Sequence, residues 1–288
     1  MPVVGGVGPL GWPVPAVLMM PSEGRFMIET LTHQPGAFCF IEAGAADIES
    51  ANSFYERIFG WVVDDRSPSD DVRYSRFLMS GKPVAGIYEF GSEQEAAAIP
   101  AQWLSYVSVV DAAATLARAI ELGARALGEV VEVPGVVTVA EFVDPAGAVC
   151  GLWQPGSHIG ASFIGEPGTL AWVDLLTPDP IEAASFYCNV FDWTFETEKP
   201  SSGIYRSTRS GNAVVAGTTT IVPEMGDVAP SWRAHIGVDD LNGAKAKIRS
   251  LGGSVEDGAT RAPGAVRRTA AKDPNGIDFM LIETAPNT

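Results

Sequence analysis

Few side chains in this chain carry obvious chemistry. There are three histidines, His33, His158 and His235, and three cysteines, Cys39, Cys150 and Cys188. No two histidines stand at a metal-ligand spacing, and the cysteines form no CxxC pair. GxxxxGK[ST], HExxH and GxSxG are all missing from the sequence, which removes phosphate-loop, zinc-protease and nucleophile-elbow chemistry. A small acid–base set remains. Arg233 and His235 lie two residues apart in a strand-like run, so their side chains share a face. Glu42 and Asp174 are carboxylates in two similar strands. An Asp or His could take a proton from a carbon acid or a hydroxyl while Arg233 steadies the negative charge that develops. Cys188, beside Tyr187 on a helix, has packing as its simpler role.

The elements that must position these residues come in duplicate. Phe54-Tyr55, Ile58-Phe59 and Trp61 recur as Phe186-Tyr187, Val190-Phe191 and Trp193 at an offset of 132, and Glu42 recurs as Asp174. Val84-Ala85-Gly86 returns as Val215-Ala216-Gly217 at 131. Trp103, Leu122-Gly123 and Asp144-Pro145 return as Trp232, Leu251-Gly252 and Asp273-Pro274 at 129. Slips of one or two residues are what loop-length changes between duplicated units leave behind.

Each unit reads in the same order. A strand (Ala37 to Glu42; Leu170 to Leu175) leads into an Asp-started helix, 47–59 and 179–191. Strands from Tyr74 to Leu78 and Val84 to Tyr88 flank a turn at Ser80-Gly81-Lys82-Pro83. A strand from Trp103 to Val109 precedes a second helix, about Asp111 to Leu122, ended by Gly123. A last strand pair turns at Asp144-Pro-Ala-Gly147 and finishes near Trp153. The class is α+β, with tandem βαβββ modules. The expected organisation is a flexible leader 1–34, a first domain 35–154, a Gly/Pro/Ser-rich linker 155–168 and a second domain 169–285.

Composition narrows the partners. Of 288 residues, 46% are hydrophobic and 19% charged, as in a globular chain with a real core. No apolar run approaches the roughly 20 residues that cross a bilayer. The formal charge of -16 repels phosphate backbones and anionic lipid, so neither nucleic acid nor membrane is an expected partner. An odd cysteine count without a disulfide framework fits a reducing cytoplasm. The leader is apolar and proline-rich but lacks the basic start of a signal peptide, and Met20 and Met27 are further candidate starts.

The string Asp-x(6)-Phe-Tyr-x(3)-Phe-Gly/Asp-Trp, with the Asp-started second helix and the Asp-Pro-x-Gly turn, resembles the vicinal oxygen chelate superfamily over nearly all of 35–285. That group includes glyoxalase I, extradiol dioxygenases and bleomycin-resistance proteins, and the sequence is most similar to its tandem two-domain members of actinobacteria. The resemblance implies curved mixed sheets enclosing a cleft. Metal-dependent members place ligands on strands at positions that fall here on Phe40, Leu104 and Gly151 in the first unit, and on Trp172, Arg233 and Met280 in the second. None is a carboxylate, imidazole or thiolate, so no metal and no other cofactor is expected. Alternation places Glu42, Tyr106, Asp174 and His235 on the same would-be ligand face.

Two functions fit that face. The first is binding of a small aromatic or apolar metabolite by Phe40, Glu42, Leu104, Tyr106, Gly151, Trp172 and Met280. The second is a metal-independent enzyme of specialised metabolism, an acid–base isomerase, cyclase or lyase using Asp174, His235 and Arg233. Structural roles stand beside both: bonds from the two carboxylates to neighbouring strands, an Arg233–Asp174 pair, and a pseudo-enzyme, which would have no enclosed pocket. With two units in one chain, a monomer or homodimer is expected.

Overall fold

The computed structural model describes residues 6–7, 13–14, 17–22, 25–67, 73–90, 102–198, 205–258, 260–261 and 266–284. After a short pair at Gly6–Val7 and Pro13–Val14 comes a hairpin of β1 (Val17–Ser22) and β2 (Arg25–Thr30). The first unit contains β3 (Phe38–Ala45), α1 (Ile48–Phe59), β4 (Val62–Asp65), β5 (Tyr74–Met79), β6 (Lys82–Glu89), β7 (Trp103–Ser108) and α2 (Ala112–Glu121). It closes with β8 (Arg125–Ala126), β9 (Val131–Val133), β10 (Val137–Val143) and β11 (Val149–Pro155). The second unit repeats the order: β12 (Leu170–Thr177), α3 (Pro180–Phe191), β13 (Thr194–Glu198), β14 (Tyr205–Ser210), β15 (Ala213–Thr220), β16 (Ser231–Val238) and α4 (Leu241–Ser250). It ends with β17 (Ser254–Val255), β18 (Thr260–Arg261), β19 (Arg267–Lys272) and β20 (Asp278–Glu283).

Each unit builds one mixed sheet, ordered β8-β10-β11-β7-β3-β6-β5-β4 and β13-β14-β15-β12-β16-β20-β19-β17, with β9 beside β10 and β18 beside β19. At the centre of each lies an antiparallel pair, β3 with β7 and β12 with β16, flanked by parallel neighbours. Of these central strands β3 and β12 are buried along their whole length. Asp47 caps α1 by accepting from the Ser50 N–H at 3.0 Å, and Gly60 ends it with φ 71°. Asp179 and Asp192 fill the same two roles for α3.

The elements follow the expected order, with differences that have physical causes. Strand β4 has no apolar signature because it is a sheet edge, with Val62 58% exposed. The linker residues 155–168 pack onto the first unit. Pro155 ends β11, Ala161 and Phe163 are fully buried, and the Ala161 and Ser162 N–H groups bond the Cys39 and Pro83 carbonyls at 2.8 and 2.7 Å. The end of the leader is packed as well. Met27, Glu29 and Thr30 are buried, and the Thr30 N–H donates to Ser162 at 2.8 Å. Met20 lies within β1, while Ala285, the last residue of the expected second domain, lies outside the described residues.

Candidate functional site

Register decides which side chains meet. In the first unit Phe40 pairs with Tyr106, Glu42 with Leu104, and Gly151 with Tyr106. In the second, Trp172 pairs with His235, Asp174 with Arg233, and His235 with Met280. Cross-strand partners share a face, so all ten expected residues lie on the faces turned away from the helices, five per unit at repeat-equivalent positions.

Those faces are concave. Arg268 on β19 is three strands from Asp174 on β12, about 14 Å on a flat sheet and beyond the combined reach of the two side chains. Its Nη1 nevertheless donates to Asp174 Oδ2 at 2.8 Å, so the sheet must curl toward this side.

The second unit's face is built around Asp174, which is fully buried. Arg233 grips it bidentately, Nε to Oδ1 at 2.9 Å and Nη2 to Oδ2 at 2.6 Å. His235 Nε2 lies 3.0 Å from Oδ1, and Thr219 Oγ1 donates to Oδ2 at 3.3 Å. Burial alone would raise this carboxyl; Arg233, His235 and Arg268 outweigh it and hold it well below its ordinary range. Asp174 is therefore a fixed anion and a poor base. His235, also fully buried, is lowered too, but by burial, which Asp174 only partly opposes. A neutral ring facing a carboxylate must donate through Nε2, which leaves Nδ1 as a lone-pair acceptor. Of the expected acid–base set, only His235 keeps a basic atom.

The first unit's face is chemically different. Tyr74 donates to Glu42 Oε1 at 2.6 Å, and Tyr106 donates to Glu141 Oε1 at 2.7 Å. Gly151 makes the second bond feasible: a Cβ there would sit 2.4 Å from Tyr106 Cδ1, so only glycine lets the ring lie across its strand. Burial pushes Glu42 up to about 7 despite its tyrosine bonds, and Glu141 rises for the same reason. Phe40 packs against Trp153 and His158 with ring centroids 4.8 and 5.1 Å away, and Ala161 and Leu104 complete that cluster. The segment after β11 thus folds onto the first unit's concave face.

Arg268, Thr219, Tyr74 and Glu141 are parts of these faces that sequence reasoning missed. The alternation Arg268–Ala270–Lys272 on β19 was the available signal, once β19 is paired with the strand after the Asp273 turn. Among the described residues no three of His, Cys, Asp and Glu come together as a group that could hold a metal ion. No helix among them is long and apolar enough to cross a membrane.

Comparison with known proteins fits the geometry. The family model of the Glyoxalase/Bleomycin resistance protein/Dioxygenase superfamily matches residues 40–149 and 169–281. CFP32 of Mycobacterium tuberculosis (strain CDC 1551 / Oshkosh), by name a glyoxylase, is 30% identical over 88% of this chain and 97% of its own. The anthracycline biosynthesis protein DnrV of Streptomyces peucetius is 30% identical over 86% and 94%. Among solved structures, the Mn(II)-bound glyoxalase from Novosphingobium aromaticivorans superposes with a TM-score of 0.58 at 14% identity, over 87% of this chain and 83% of that one. The 2,2',3-trihydroxybiphenyl 1,2-dioxygenase of Sphingomonas wittichii strain RW1 gives 0.59 at 13%, over 87% and 91%.

Proposed function

Since the chain belongs to the Glyoxalase/Bleomycin resistance protein/Dioxygenase superfamily, we propose that it binds a small aromatic or apolar metabolite on the concave face of its second unit, without a metal ion. The observation that carries this reading is the register of Trp172, Arg233 and Met280. They hold the positions where the resemblance implies metal ligands, and an indole, a guanidinium and a thioether do not suit a divalent cation. Trp172 and Met280 supply apolar surface beside the Asp174–Arg233–His235 group, the usual make-up of a small-molecule site. In the first unit the matching polar groups, Glu42 and Tyr106, bond Tyr74 and Glu141, and the segment after β11 packs over Phe40, so one ligand per chain is expected. DnrV is named for anthracycline biosynthesis, which supports an aromatic ligand from specialised metabolism.

Native mass spectrometry of the purified protein, with metal analysis of the same sample, tests this. One aromatic small molecule per chain and no stoichiometric divalent metal is the expected result. Zinc, iron or manganese at one per chain would overturn it.

The His235–Asp174 bond favours a second reading, a metal-independent acid–base enzyme in which His235 moves the proton, Asp174 fixes its ring and Arg233 steadies negative charge. Chemically altered ligand after incubation distinguishes an enzyme from a binder.

A further inference from the structure

Three buried polar atoms on the second unit's concave face have no hydrogen-bond partner among the described residues: His235 Nδ1, Arg268 Nε and Ser207 Oγ. His235, Ser207 and Arg268 are 0%, 3% and 9% exposed. Ser207 joins this face through Gly217, which pairs with Asp174. Arg268 and His235 both bond the Asp174 carboxylate, on its two different oxygens. Buried polar groups are almost always satisfied, so three unmet ones on a single sheet face ask for a ligand that supplies the missing partners.

Their chemistry specifies what it must supply. His235 Nδ1 is an acceptor, Arg268 Nε–H is a donor, and Ser207 can be either. A methyl ether or ketone brings no proton for Nδ1, and a carboxylate would set lone pairs against it. A hydroxyl offers both a proton and lone pairs. The local charge favours its ionised form, for two guanidiniums, Arg233 and Arg268, face one carboxylate.

We infer that the second unit takes a ligand bearing an acidic hydroxyl, a phenol or enol, which is bound ionised. The O–H bond breaks as its proton passes to His235 Nδ1. The resulting imidazolium stays bonded to Asp174 through Nε2, and the electron pair left on oxygen faces Arg268 Nε and Ser207. No oxidant, reductant or metal takes part. This inference rests on the proposed ligand face and names the group that the face recognises.

The fluorescent probe 7-hydroxycoumarin tests it, with 7-methoxycoumarin and coumarin-3-carboxylate as controls, because its absorbance separates the ionised from the neutral form. The expected result is binding of 7-hydroxycoumarin as the anion at a pH where free probe is mostly neutral, at least tenfold tighter than either control. In Arg268→Met, the bound probe should return toward its ordinary ionisation. Ser207→Ala, a milder change, should weaken 7-hydroxycoumarin several-fold if Arg268→Met does not fold. Equal binding of the ether, tighter binding of the carboxylate, or a probe bound in its neutral form would overturn the inference and leave the ligand face standing. Failure of all three coumarins to bind would overturn the ligand face itself.

Discussion

Asp174 and Glu42 occupy the same position in the repeat and have opposite fates. Asp174 accepts from two guanidiniums, an imidazole and a hydroxyl and stays ionised, whereas Glu42 is buried with tyrosine for company and is pushed up to about 7. The equivalence was legible in the sequence, and so was Arg233 as a partner for Asp174. Their divergence was not, because it depends on Arg268, Tyr74 and Glu141, which reach them from strands far away in sequence. A pH dependence follows from Glu42. Its folded value of about 7 lies above the ordinary 4.5, so between those limits the folded state holds a proton that the unfolded chain has lost. Stability therefore falls as pH rises from 4.5 to 7, by up to about 3 kcal/mol from this group, and levels off above. Urea titrations at pH 5 and pH 8 should show that drop shrink in Glu42→Gln relative to the parent. An identical drop in both would mean that Glu42 is not the group responsible.

Helices and strands carry a second kind of duplication, in which equivalent elements support each other across the units. Asp144 closes the β10–β11 turn by accepting three N–H groups, from Ala146, Gly147 and Ala148, on Oδ1. Its Oδ2 is reserved for the Tyr187 hydroxyl on α3 of the other unit, at 2.9 Å. The same hydroxyl accepts from Trp232 Nε1 at 2.8 Å. Asp-Pro turns, Phe-Tyr helices and paired tryptophans were all readable as repeats, because local spacing encodes them. That a turn of one unit is held by a helix of the other was not, since nothing local joins residues 43 positions apart. Tyr187→Phe deletes one oxygen that serves both units and leaves the buried Trp232 N–H unmet. A loss of about 1–3 kcal/mol is expected from the urea midpoint, with the slope unchanged. A loss below about 0.5 kcal/mol would show that the turn and the tryptophan find other partners.

At the scale of the molecule, the units share one apolar core instead of owning one each. Phe38 of the first packs on Trp232 and Trp193 of the second, with ring centroids 5.0 and 5.9 Å away, and Phe279 of the second meets Phe54 and Tyr55 of the first. Two equivalent indoles tie the joint at mirrored points: Trp61 Nε1 donates to the Gly168 carbonyl at 2.7 Å and Trp193 Nε1 to the Gly36 carbonyl at 2.8 Å. Chains longer than about 150 residues often unfold in stages when each domain can bury its own apolar surface. Here neither unit can, because separating them uncovers Phe38, Phe279 and two indole N–H bonds together. Unfolding in urea should thus be a single transition, with tryptophan fluorescence and far-UV circular dichroism coincident. Trp193→Phe should shift both probes to lower urea by the same amount, about 1–2 kcal/mol for a buried carbonyl left unmet. If the two probes separate in the parent protein, or if Trp193→Phe moves only one of them, each unit holds its own fold and the joint is a mere contact between finished domains.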